Sequence, residues 1–402
     1  MDFSKIFCAR IFFRIVFSFI LVAKVSAQDL ENLADVNNGF AFNLLKQIAT
    51  APTNENIFIS PFSVATALQM LVNGAAGKTK LEIQNVLQTT DLPSEKINAA
   101  CKKLNQSLQT QTNVILNLAD SIWYQNDFHL KSNFVAANQN FFRAELAGVD
   151  FESPASAQTI HDWAKQKTRG KITDIVAFPF PPLTRVILAN AIYFKGEWAE
   201  PFDKSQTQPR DFYLANGDSN KVPMMSQQRK FSYSENENFQ AVELAYAGNR
   251  LQMILFLPAT NSSPQKLLKD LSSEKWRDEI LPAFGEREGS LVFPKFKLDY
   301  KIGLNESLKN LGMRQAFSSD ANFSAMADAQ LFISEVKQKS FVAVDEEGTE
   351  AAAVTVVHME RSARRLNEPF KMLVNRPFLF VIADARTQAI LFMGIVNDPA
   401  KK

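Results

Sequence analysis

Cysteine and histidine are scarce in this chain, with two and three copies respectively in 402 residues. His129, His161 and His358 stand in unlike surroundings, and no Cys/His spacing of a zinc site occurs. Also missing are a Gly-rich phosphate loop and the Gly-x-Ser-x-Gly elbow of a hydrolase. These gaps predict a protein with no metal and no cofactor that is not itself an enzyme. No run later than residue 27 has the ~20 apolar residues that cross a bilayer, and no Pro/Gly-rich linker, repeat or low-complexity tract divides the chain.

The amino terminus is the one segment that departs from this even composition. Lys5, Arg10 and Arg14 precede an apolar run at 15–23, and Val25-Ser26-Ala27 follows in the small-residue pattern that suits signal peptidase. Residues 1–27 therefore read as a signal peptide, with cleavage after Ala27, a mature chain of 28–402, and a secreted, extracellular location. The formal charge of +2 belongs to this leader, where Lys5, Arg10, Arg14 and Lys24 oppose Asp2 for a net +3; the remainder carries −1. A near-neutral chain lacks the basic excess of a nucleic-acid or membrane-surface binder, so neither partner is expected. Cys8 leaves with the leader, and Cys101 alone forms no intrachain disulfide. It sits with Ile97 and Leu104 at helical spacing, as a buried thiol does.

Without disulfides, stability must come from a core, and there is material for one: 46% of residues are hydrophobic and Phe alone numbers 34. One large domain is expected. Phe40, Ala41, Leu44, Leu45 and Ile48 predict an amphipathic helix over 35–49. A short apolar strand at 57–59 runs into Ser60-Pro61, which caps and starts a helix. Residues 113–125 read as a strand, 161–170 as a helix ended by Gly170, and 188–198 as a buried strand with one amide, Asn190, that needs partners. Further strands are expected at 251–258 and 331–344, the pair Met224-Met225 as core packing, and two buried strands around 374–382 and 390–399.

The strand at 331–344 leads into Asp345, Glu346, Glu347, Gly348, Thr349, Glu350, Ala351, Ala352 and Ala353, and then Val354, Thr355, Val356 and Val357. Gly348 supplies a permissive hinge, and the small and β-branched residues after it suit a loop that can also be a strand. Alternation puts Thr349, Ala351, Ala353 and Thr355 on one face, and Glu350, Ala352, Val354 and Val356 on the other, wet one. The first face is small enough to slide between existing strands without overpacking them. Beyond it, Arg361, Arg364 and Arg365 are basic sites that a protease can cleave.

This hinge resembles that of the serpins, whose reactive-centre loop begins acidic-acidic-Gly-Thr-Glu followed by several Ala. The resemblance continues through the segment at 56–68, the strand at 188–198 and the carboxyl-terminal strands, and so covers essentially the whole mature chain. It implies an α+β fold: one serpin domain with a central mixed β-sheet, two further sheets, eight to nine helices and an exposed loop at about 346–370. It also implies that Ser60, Ser63 and Asn190 form the so-called shutter beneath the central sheet and that Trp198 marks the sheet's upper opening. Gln338 stands where many serpins have His, and can still donate and accept. His161 stands where Asn is usual.

The function so implied is suicide-substrate inhibition of a serine protease. The target's serine attacks the loop, and the cut loop then enters the central sheet before the acyl-enzyme hydrolyses. Family spacing from Gly348 puts the scissile residue at Ser362; Arg361-Ser362 is preferred because Arg pairs with the acidic base of a trypsin-like pocket. Arg364 and Arg365 are alternatives, and Arg361-Ser362-Ala363-Arg364 also resembles a minimal proprotein-convertase site. The expected partner is a trypsin-like protease held covalently by a monomer. Lys96, Lys102 and Lys103 offer a basic face for a glycosaminoglycan. Asn105, Asn261, Asn305 and Asn322 head N-x-Ser sequons. A non-inhibitory serpin, acting as a carrier or chaperone, is the alternative reading.

Overall fold

Apolar alternation and β-branched runs become two sheets in the computed structural model, which describes residues 25–50, 55–109, 114–349 and 368–401. The strands, in chain order, are β1 (Ile57–Ile59), β2 (Val114–Gln125), β3 (Glu145–Val149), β4 (Val186–Glu197) and β5 (Gln208–Tyr213). There follow β6 (Ser219–Glu235), β7 (Phe239–Ala245), β8 (Leu251–Pro258), β9 (Gly285–Pro294) and β10 (Phe296–Gly303). The last are β11 (Ile333–Val344), β12 (Gly348–Thr349), β13 (Phe370–Leu373), β14 (Phe378–Asp384) and β15 (Ile390–Val396).

The central sheet runs β10-β11-β4-β2-β3, with the two-residue β12 also on β4. It is mixed: β11 and β4 are parallel neighbours, as are β2 and β3, while β10–β11 and β2–β4 are antiparallel. The second sheet runs β1-β15-β14-β8-β7-β6-β9-β13, with β5 on the other edge of β6. The long strand β6 pairs with β7 at one end and with β5 and β9 along the rest, so it joins the two further sheets expected of the fold into one hydrogen-bonded path.

Six longer helices pack around the sheets: α1 (Ala27–Ile48), α2 (Pro61–Val72), α3 (Gly77–Leu87), α4 (Ser94–Leu108), α5 (Ser132–Phe142) and α6 (Pro154–Lys167). Three short ones, Pro264–Asp270, Ser273–Lys275 and Asn305–Leu311, bring the described helices to nine. Two helices begin earlier than periodicity placed them, for the same reason: a capping side chain satisfies the free N–H groups of the first turn. In α1, Ser26 Oγ accepts from Asp29 N at 3.1 Å while Asp29 Oδ2 accepts from Ser26 N at 2.8 Å. The expected cleavage after Ala27 falls within this first turn. In α6, Ser153 Oγ accepts from Ala155 N, and Pro154 holds the first helical position. That helix closes at Thr168, whose hydroxyl donates to Ala164 O, two residues before Gly170.

The fully buried α2 lies under the central sheet, between it and β15. Phe58 at its entrance stacks on Phe380 and Phe392, at centroid distances of 5.8 and 5.4 Å, and so joins the floor of α2 to the carboxyl-terminal strands. Met224 and Met225 are core residues, and Ile97, Cys101 and Leu104 form the buried face of α4, as expected. Burial, with the nearby Asp120 charge adding to it, pushes the Cys101 thiol up to about 12, so the thiol stays protonated.

One buried ion pair ties α4 to the second sheet. Arg250 Nε donates to Asp384 Oδ1 at 2.9 Å, and its Nη1 and Nη2 reach Ser107 O and Ser107 Oγ at 3.1 and 2.8 Å. Arg250→Ala leaves Asp384 buried without its counter-charge, at a cost of about 3–5 kcal/mol measured by denaturant unfolding. A loss below about 1 kcal/mol, the worth of an exposed pair, would show that the pair is solvated.

Candidate functional site: a sheet seam and the hinge beside it

The sequence-expected shutter residues converge although they lie up to 278 positions apart. Ser60 caps α2 and sends its hydroxyl to Leu391 O at 2.8 Å. Gln338 on β11 accepts from Ser60 N at 2.9 Å and donates back to Ser60 O at 3.0 Å. It also donates to Asn190 Oδ1 on β4 at 2.7 Å, bridging the two parallel strands. Asn190 Nδ2 donates to Ser63 Oγ at 2.5 Å and to Asp120 Oδ1 on β2. Ser340 Oγ adds a bond to Phe58 O. Thus Gln338, in the place of His, fills both of its capacities, and each polar group finds the partner that burial demands.

Asp120 escaped the sequence reading. It is a carboxylate in an otherwise β-rich, largely apolar run, and a charge in the middle of a buried strand was the available signal. Burial pushes its carboxyl up to about 7, against the lowering effect of the bonds from Ser63 and Asn190.

The outer face of the same strands is strapped differently. Lys339, next to Gln338 and so pointing the other way, bonds Asp174 in the segment after α6, and Lys301 on β10 reaches the same carboxylate at 3.0 Å. His161 Nε2 lies 3.2 Å from Val176 O, so this side chain also joins α6 to the segment behind it.

At the upper end of the seam the hinge has already entered the sheet. Gly348 and Thr349 pair antiparallel with Glu197 and Gly196 of β4. Thr349 is fully buried, with Oγ1 3.0 Å from the Tyr246 hydroxyl. Tyr246 in turn stacks on Trp198 at 4.6 Å, and Trp198 Nε1 donates to Asp345 O at 3.0 Å. The acidic pair is held by lysines and a hydroxyl: Glu346, itself buried, bonds Lys295 and Thr207, each at 2.7 Å, and the partly buried Glu347 bonds Lys204. Backbone bonds from Trp198 N to Glu347 O and from Phe202 N to Glu346 O complete the clasp. Thr349 therefore lies on the inward face, as alternation required, and Tyr246, Lys295 and Lys204 are contributors that no local pattern marked. Glu350, Ala351, Ala352 and Ala353, together with Arg361, Ser362, Arg364 and Arg365, lie outside the described residues.

The remaining expected residues separate by environment. Among the sequons, Asn261 and Asn322 are exposed. Asn305 is committed at both ends of its amide, donating to Ser334 O and accepting from Val336 N, each at 2.8 Å. Asn105 is partly buried, and its Oδ1 is enclosed without a partner among the described residues. The three lysines of α4 do not share a face: Lys103 Nζ reaches Val25 O, whereas Lys102 sits over the Phe141 ring of α5.

Residues 35–399 match the model of the family described as Serpin (serine protease inhibitor). The leukocyte elastase inhibitor of Sus scrofa is 34% identical over 382 residues, spanning 92% of this chain and 100% of that protein. A structure of protease nexin-1 with heparin is similar at a TM-score of 0.81 and 31% identity, covering 92% of this chain and 100% of its own. Human thyroxine-binding globulin has the same fold, with a TM-score of 0.84, 26% identity, and coverage of 93% and 100%. This chain belongs to the serpin family, whose members are generally serine protease inhibitors.

Gly348 is the most exacting position of the site. Its φ of +147° favours glycine, and a Cβ there would lie 2.2 Å from Gly196 O. Gly348→Ala is expected to expel the hinge from β4 and raise hydrogen exchange across 346–349 by at least about fivefold, as a loss of roughly 1–3 kcal/mol of local stability requires. Unchanged exchange would mean that the hinge is not held by this pairing.

Proposed function

We propose that this chain is a secreted serpin that traps trypsin-like serine proteases, cut by them at Arg361-Ser362. The observation that carries the reading is the placement of Gly348 and Thr349 against Glu197 and Gly196 of β4, on the same edge as β11 and just beyond Tyr193, where the β4–β11 pairing ends. A strand begun there and continued by Ala351, Ala353 and Thr355 on its inward side meets no bulky side chain on entering the sheet. Insertion of about 14 residues gains roughly 1 kcal/mol per new backbone bond. It also carries an attached protease on the order of 45 Å, at ~3.3 Å per residue. Such a displacement pulls the acyl-enzyme's oxyanion hole out of register and leaves the ester unhydrolysed.

Arg361 supplies a side chain for an acidic specificity pocket, and the leader at 1–27 supplies the route out of the cell. Asn261 and Asn322 are the sequons most open to glycosylation. Lys96 and Lys103, which share one side of α4, are the residues offered to a glycosaminoglycan; the heparin complex of protease nexin-1 supports that reading.

Mixed with trypsin, the mature protein is expected to form a denaturant-resistant covalent complex and to release a fragment beginning at Ser362. A start at Arg365 or Leu366 moves the bond to Arg364 or Arg365 and the target towards proprotein convertases. Cleavage without a complex, by every protease that cuts the loop, would overturn inhibition in favour of a carrier role. Thr349→Arg places a charge where the side chain is now fully buried, and should lower the trapped fraction roughly tenfold while cleavage persists. Full trapping by this variant would refute the inward-face argument.

A further inference from the structure

A carboxylate is buried one strand away from the β4–β11 seam. Asp120 lies directly opposite Asn190 in the β2–β4 register and is 8% exposed. Its Oδ1 accepts from Asn190 Nδ2 and, at 3.3 Å, from Ser63 Oγ. Asn190 is the same residue that takes the Gln338 bond across the seam. The run of bonds starts at the Ser60 backbone, whose N–H and C=O cannot exchange roles, so its polarity is set all the way to Asp120. Ionisation of Asp120 leaves the direction of the last bond unchanged and alters its strength and the carboxylate's demand for water.

The surroundings do little to neutralise that charge. Ser63 from α2 and Asn190 from β4 are uncharged, and the Cys101 thiol from α4 stays protonated. Lys102 of α4, Arg143 after α5 and Lys167 at the end of α6 line the same cleft of ≈ 190 Å³ that has Asp120 among its walls. Lys102 rests over Phe141, and Arg143 contacts Gln109. Among the described residues, the hydrogen-bond partners of Asp120 are Ser63 and Asn190 alone.

We propose that Asp120 is a proton-operated latch on the seam, keeping β4 and β11 together when protonated and favouring their separation when ionised. Ser63 rides on α2, whereas Asp120 and Asn190 ride on adjacent strands of the sheet. Moving β4 away from β11 carries the pair off Ser63 and towards cleft water. Hydration returns the carboxyl towards its ordinary value, so the parted sheet binds fewer protons than the closed one. Parting is then hardest in acid, eases as pH rises through the interval between the two values, and levels off above the closed-state value. The inference rests on the reading that a strand enters at this seam.

The test is uptake of a synthetic peptide with the sequence of residues 349–361 by the intact mature protein, followed on native gels from about pH 5 to about pH 8. Uptake by the wild type should rise by up to about tenfold per pH unit and flatten above about pH 7. Asp120→Asn should abolish the slope, and Asp120→Glu, which keeps a carboxyl, should retain one. A flat wild-type profile, or equal slopes in wild type and Asp120→Asn, would overturn the latch while leaving insertion standing. No uptake at any pH would overturn insertion and the latch together. Without any variant, hydrogen exchange of the β11 amides, corrected for intrinsic base catalysis, should follow the same curve; a flat corrected profile also overturns the latch.

Discussion

The bond from Gln338 to Asn190 ties together β4 and β11, the two strands between which the proposed insertion would take place. β4 and β11 are parallel neighbours inside a sheet whose other contacts to them are antiparallel, and parallel pairing is slightly weaker per residue. An antiparallel strand placed between them would convert one parallel ladder into two antiparallel ones. The side-chain bridge beneath is what the closed sheet offers against that exchange. It draws on four separate elements, α2, β2, β4 and β11, so none of them can shift without disturbing the network.

The hinge shows the same logic at the upper end. Thr349 is already where an inserted strand would begin, under Tyr246 and Trp198, and Gly348 makes the turn through a backbone conformation that a Cβ would block. The acidic residues before it are paired to Lys295 and Lys204. The Tyr246–Trp198 contact on Thr349 and the ion pairs of Glu346 and Glu347 together hold two residues in the sheet. Apolar packing below the seam is supplied by Phe58, Phe380 and Phe392, while the pairing at the seam itself is parallel.

Much of this was legible beforehand. Ser60-Pro61 announced the start of α2, the apolar runs marked β4, β8, β11, β14 and β15, and the residues from Glu346 to Ala353 together with these segments carried the family resemblance. The limits of α1 and α6 were less visible, because capping by Ser26 and Ser153 extends a helix beyond its apolar stripe. Asp120 was overlooked because strand alternation sorts residues by hydrophobicity and says nothing about which buried position has hydrogen-bond donors waiting for a carboxylate. Tyr246 and the two lysines of the hinge clasp were invisible for a related reason: their partners lie on strands and loops far away in sequence.

The amino-acid sequence by itself determined the family, the single interwoven domain, the hinge and the run of small residues after it, since these depend on local periodicity and on residue size. Only the tertiary structure decided that Gln338 bonds both Ser60 and Asn190, that Asn305 is locked by its own amide bonds while Asn261 and Asn322 stand exposed, and that the α4 lysines are divided between two faces. Those outcomes turn on distances between residues joined by no local pattern, and such distances are set by the packing of whole sheets and helices.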